Sequence, residues 1–127
     1  MWREYNPNPC GRRVEDCAIR AVSKALDWDW EKTYATVCAY GLGMCDLPHS
    51  NSVWGAVLRE NHFVRKNLPD TCPDCYTADE FSKDHPTGTY VLGFHRHTAC
   101  MKDGIIYDAF DPSNETVLYY WVKEEED

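Results

Sequence analysis

A chain of 127 residues with 43% hydrophobic content, five Trp, eight Tyr and four Phe carries enough apolar surface for one compact domain, which excludes a disordered polymer. Its formal net charge of -8 disfavours nonspecific attraction to nucleic acid or to an anionic membrane. No apolar run reaches the length of a membrane span and MWREYNPNP lacks an apolar signal-peptide core, so a cytoplasmic protein is expected, its seven cysteines held as reduced thiols.

In chain order, the first dozen residues read as turn, because Pro7, Pro9 and Gly11 interrupt any regular pattern. From Asp16 the pattern changes. Ala18, Ile19, Ala21, Val22, Ala25 and Leu26 recur with helical spacing, while Arg20, Ser23 and Lys24 take the other face. Asp16 is the expected N-cap, which places Cys17 in the first turn. A second helix is expected from Trp30 to Tyr40, stopping at Gly41, and a third from about Ser52 to Asn61 after the loop LPHSN. A short fourth helix is signalled by Thr77 as cap, Glu80 three residues later and His85-Pro86 as stop. Trp28, Trp30 and Trp54 read as core anchors, and Cys38 and Cys100 as buried core thiols.

After Pro86 the period becomes alternating. Thr89 to Phe94, His97 to Lys102, Gly104 to Ala109 and Val117 to Val122 read as strands, with Asp103-Gly104 as a hairpin turn. Residues 123–127, ending Glu124-Glu125-Glu126-Asp127, read as a solvated, frayed tail. Helices followed by an antiparallel sheet make an α+β single domain, with N-terminal helices packed on a C-terminal sheet.

The placement of Cys17 has chemical meaning. Unpaired N–H groups and the helix dipole favour a thiolate at a helix start, and Arg20 one turn later adds positive charge. The same N–H groups can stabilise an oxyanion. The competing reading is a small buried residue on the inner face of an amphipathic helix. A base is available late in the sequence, in FHRHTACMKDGIIYDAFDPS. If Asp103-Gly104 form a two-residue turn, Lys102 pairs with Ile105, Ala99 faces Asp108 and His97 faces Phe110. His97 and Asp108 then share a face as diagonal neighbours, a base with an orienting carboxylate. Asp111 has the opposite parity, and a one-residue slip would exchange it for Asp108. His95 shares the parity of His97 but lies further from Asp108, so His97 ranks first.

DCAIRAVSKAL, followed much later by GTYVLGFHRHTACMKDGIIYDAFD, resembles the papain-like cysteine peptidase superfamily. The likeness is to small phage- and prophage-encoded members, with an NPNP stretch before the helix and a CPDCYT segment in the middle, and it covers roughly residues 5 to 121. It implies a thiol hydrolase in which Cys17 is the nucleophile, His97 the base and Asp108 the residue that orients it. Papain-like enzymes also use an amide side chain shortly before the cysteine to complete the oxyanion hole. Gly11 stands at that distance here, so the resemblance turns to Asn8 or Asn6.

Cys72-Pro-Asp-Cys75 has C-x-x-C spacing, so a redox dithiol or a structural zinc site is a competing reading. His95 and His97 are possible zinc ligands, with Cys10 or His49 to complete the set. Cys10 could instead pair with Cys17 as a regulatory disulfide. The leading expectation needs no cofactor: hydrolysis of a peptide or isopeptide bond in a peptide or protein substrate. Acyl transfer or deamidation by the same residues stays open. The alternative is a noncatalytic binding protein whose acidic surface meets a basic partner.

Overall fold

A computed structural model describes residues 1–69 and 75–124. Among these the protein forms four helices and six strands. In order they are β1 (Trp2–Glu4), α1 (Cys17–Leu26), α2 (Trp30–Met44), α3 (Asn51–Glu60), β2 (Phe63–Asn67), α4 (Ala78–Asp84), β3 (Thr89–Phe94), β4 (His97–Lys102), β5 (Ile105–Asp108) and β6 (Tyr119–Lys123). No helix among the described residues is long and apolar enough to cross a membrane.

The strands join in one sheet of order β1-β5-β4-β3-β6-β2. It is α+β as expected, but the sheet is mixed rather than antiparallel, because β1 runs parallel to β5. The turn-rich start therefore contains a strand. Trp2 pairs with Ile106 and Glu4 with Asp108, and only from Tyr5 onward do the prolines take over. β2, also absent from the sequence reading, closes the opposite edge against β6. Lys123 belongs to β6, opposite Phe63, and the Glu124 N–H donates to the His62 carbonyl at 2.8 Å, so the backbone is paired into the start of the expected frayed tail.

The hairpin between β4 and β5 has the expected register, with Lys102 opposite Ile105 and Cys100 opposite Tyr107. Asp103 and Gly104 both take positive φ (50° and 76°), the conformation a two-residue turn needs to match strand twist. β3 and β4 do not alternate in burial. Val91 and Cys100 pack with Phe63, Trp121 and the inner faces of α1, α2 and α3. Leu92, Phe94, Ala99 and Met101 pack on the other face with Phe81 of α4. Helices cover both faces, so the middles of these central strands are buried on both sides.

Two helix ends differ in detail from expectation, for physical reasons. Asp16 stands at the N-cap of α1 but makes no capping hydrogen bond, because its carboxylate is engaged elsewhere. α2 runs through Gly41 to Met44 and ends at Cys45, which takes φ 55°. Gly41 serves close packing instead: a Cβ there would lie 2.9 Å from the backbone oxygen of Asp46. Gly41→Ala is therefore expected to destabilise the protein by about 1–2 kcal/mol in urea unfolding, although alanine is the better helix former. Unchanged or raised stability would show that the 46–48 turn yields freely.

Candidate active site

Cys17, His97 and Asp108 each stand at an end of an element. Cys17 is the first residue of α1, His97 the first of β4 and Asp108 the last of β5. α1 lies across β4, β3 and β5, which brings its N-terminus to the strand ends that carry His97 and Asp108. Being first in its helix, Cys17 has an N–H with no intrahelical acceptor.

His97 Nε2 lies 2.5 Å from Asp108 Oδ2. The remaining ring nitrogen, Nδ1, is free of Asp108, and the imidazole lies near enough to the Cys17 thiol to lower its pKa. The ring packs nearly parallel to Phe94 at 5.8 Å between centroids and against Phe110 at 4.7 Å, as the register count placed it. His95 and Arg96 form the two-residue turn that returns β3 into β4, with Arg96 at φ 57°. His95 is thus exposed at a turn, and His97 alone of the two reaches Asp108. Asp111 is exposed and accepts hydrogen bonds from Ser113, away from the imidazole, as its parity required.

Asp108 is held from every side. Its Oδ1 accepts from the Ala109 N–H at 2.7 Å and from Arg20 Nη2 at 3.1 Å. Its backbone carbonyl accepts from the Tyr5 N–H at 2.8 Å and from Trp2 Nε1 at 3.1 Å, so β1 fixes the main chain beneath it. Arg20 also bonds Asp16, whose second oxygen accepts from Trp30 Nε1 at 2.8 Å. Arg20 is 6% exposed and Asp108 1%, so these charges form a buried network, not the solvent-facing polar side of α1. Ser23, assigned to that same side, is buried and donates to Thr33 Oγ1 at 2.8 Å. Sequence reasoning offered Arg20 only as nearby charge. Its i,i+4 spacing from Asp16 was the available signal; the bond to Asp108, 88 positions away, was not.

The electrostatics follow from this geometry. Burial opposes charge on Cys17, but the His97 hydrogen bond and charge, the Thr98 N–H and Arg20 outweigh it, so the thiol titrates below its usual value. Burial likewise opposes an imidazolium. The hydrogen bonds and charges of Asp108 and Cys17 prevail, pushing His97 up to about 9. Cys100, buried with no such partners, is instead pushed up to about 12 by desolvation. Two thiols in one fold thus diverge according to surroundings.

The pair opens into a groove of about 1230 Å³. Trp30 and Tyr34, stacked at 4.9 Å, line it together with Phe110, Trp54 and Tyr119. Trp30, half-buried, is therefore a groove residue as well as an anchor, and Trp54, which also lines the groove, is buried as expected. Asn6 and Asn8 also line the groove. Asn6 Nδ2 donates to the carbonyls of Arg12 (3.2 Å) and Gly11 (3.4 Å), so its donor end is spent on the loop. Asn8 Oδ1 accepts from the Cys10 and Arg12 N–H groups at 2.9 and 3.4 Å, which turns its NH2 end away from them.

Cys10 and Cys17 are free thiols, Cys10 exposed, and Cys38 is only half-buried rather than core. Cys72 lies outside the described residues, while Cys75 is exposed and free. Among the described residues no group of three or more His, Cys, Asp or Glu is placed to hold a metal ion. No family model, curated protein or solved structure matches the sequence.

Proposed function

We propose that the protein is a thiol-dependent hydrolase of papain-like type, acting on a peptide or isopeptide bond with Cys17, His97 and Asp108. The observation that carries this reading is a helix-start thiol whose pKa is lowered by a neighbouring imidazole, itself hydrogen-bonded to a buried carboxylate. Three side chains from distant parts of the sequence come together, Cys17 and His97 on the wall of an open groove and Asp108 buried behind them, an arrangement that suits acyl transfer.

In this reading Asp108 holds His97 so that Nδ1 faces the thiol and stabilises the imidazolium that forms on taking its proton. The thiolate attacks the carbonyl carbon, and the resulting oxyanion accepts from the Cys17 N–H and the Asn8 side chain. Asn8 is preferred to Asn6 because the Asn6 donor already serves the loop. Collapse breaks the C–N bond as His97 gives its proton to the departing amine, leaving a thioester on Cys17. Water, deprotonated by His97, then releases the acid and restores the thiol. An amine in place of water gives acyl transfer, and a side-chain amide as substrate gives deamidation.

The test is the alkylation rate of Cys17 against pH, followed by mass spectrometry. In the native protein the rate should rise at lower pH than for an ordinary thiol, because the surroundings lower the pKa of Cys17. His97→Ala should cut that rate about tenfold or more and move the profile toward an ordinary thiol near 8.5. Hydrolysis additionally needs protonated His97, so its rate should fall as pH rises through about 9. A Cys17 that alkylates like an ordinary thiol, insensitive to His97, would point to the noncatalytic alternative.

A further inference from the structure

Beside the groove lies a second, smaller pocket of about 280 Å³, walled by Arg59, Arg65, Tyr119 and Trp121. It shares Asn51, Trp54 and Tyr119 with the groove that holds Cys17, so the two adjoin. Arg65 stands in β2 directly opposite Trp121 in β6, and its guanidinium lies 4.3 Å from the Tyr119 ring centroid. Arg59, in the last turn of α3, lies 5.5 Å from the Trp121 centroid. Cation–π stacking of this kind orients a guanidinium while leaving its N–H edge for a ligand.

The rings themselves are set into the fold by glycines. A Cβ at Gly93 would fall 2.1 Å from Tyr119 Cζ, and one at Gly55 would fall 2.9 Å from Trp121 Cζ2. Those two positions admit the rings only because they lack side chains. The charge balance adds a second observation. The protein has 21 Asp and Glu against 13 Lys and Arg, yet neither Arg59 nor Arg65 pairs with a carboxylate among the described residues. Arg12 and Arg96, on the groove wall, are likewise without a carboxylate partner among the described residues. An acidic protein thus keeps guanidinium groups without carboxylate partners along this surface, although Glu15 and Asp16 also line the groove.

We propose that Arg59 and Arg65 form a carboxylate-binding subsite of the groove, held against Tyr119 and Trp121, which selects an acidic group in the substrate. The proposal rests on the hydrolase reading above and adds to it a substrate class. Guanidinium edges suit a planar carboxylate, which can take two parallel N–H bonds from one fork and further charge-assisted bonds from the second. The carboxylate comes either from a Glu or Asp side chain or from the terminal α-carboxylate of a peptide.

Binding can be read without catalysis, in the 127-residue chain bearing Cys17→Ala. Three probes are titrated at low salt while the indole N–H resonances of Trp54 and Trp121 are followed: N-acetyl-glutamate amide, N-acetyl-glutamine with a free α-carboxylate, and N-acetyl-glutamine amide. At least one carboxylate probe should bind about tenfold more tightly than the neutral one. Which of the two does so identifies side chain or terminus as the source. Arg65→Gln and Arg59→Gln should each abolish the preference. Lys66→Gln, the same charge change at the next β2 position and thus on the other face, should leave it intact. Equal binding of all three probes, tighter binding of inorganic phosphate, or equal loss in Lys66→Gln would overturn the subsite. None of those results bears on Cys17 reactivity, so this proposal and the hydrolase reading fail separately.

Discussion

Asp108→Asn is expected to reduce hydrolysis by about 10³–10⁴-fold while leaving the protein folded. The reason is specific to the surroundings of this carboxylate. Its two oxygens both face donors: Oδ1 meets Arg20 and the Ala109 N–H, and Oδ2 meets His97. A carboxamide has one acceptor atom. Two donors compete for it on the Oδ1 side against one on the other, so the oxygen should turn to Arg20 and the NH2 to His97 Nε2. An NH2 group there stabilises the tautomer with the proton on Nδ1, which cannot accept the thiol's proton. It also repels an imidazolium, so His97 should no longer titrate near 9. Alkylation of Cys17 below the pH range of an ordinary thiol should fall in parallel, a readout that needs no substrate. A pH profile unchanged from the native protein would show that Asp108 has no part in activating the thiol.

Arg20→Met is expected to cost about 3–5 kcal/mol in urea unfolding. Arg20 stands between Asp16 and Asp108, 7% and 1% exposed, and bonds both. Removing it leaves two carboxylates buried without the cation between them. Against a total stability of about 5–15 kcal/mol for a domain of this size, that is a large share. Adding Asp16→Asn to Arg20→Met should recover part of the loss, because one of the two uncompensated charges is then gone. Cys17 reactivity should fall too, since Arg20 lowers the thiol's pKa directly and anchors Asp108. A loss below about 1 kcal/mol would mean that water reaches the pair on demand.

Local chemistry accounts for what was legible in the sequence. Asp103-Gly104 dictated a two-residue turn because both residues tolerate positive φ, and the turn dictated the pairing of Lys102 with Ile105. From that register and strand parity alone, His97 and Asp108 fell on one side and Asp111 on the other. The capping box of α4 was likewise legible, Thr77 accepting from the Glu80 N–H three residues on. Gly41 misled, since glycine ends helices and also admits close packing, and only the position of the 46–48 turn decides between them.

The sequence by itself therefore determined the elements with strong local signals, the hairpin register, and the pairing of a histidine with a carboxylate. It could not determine that β1 pairs with β5, because three residues carry no periodicity and the partner lies more than a hundred positions away. Nor could it show that Arg20, on the polar side of a helical wheel, is buried by two carboxylates. The convergence of Arg59 and Arg65 on rings seated over glycines was equally out of reach. These are contacts between residues distant in sequence, whose energies depend on distance and burial, and those exist only once the protein has folded.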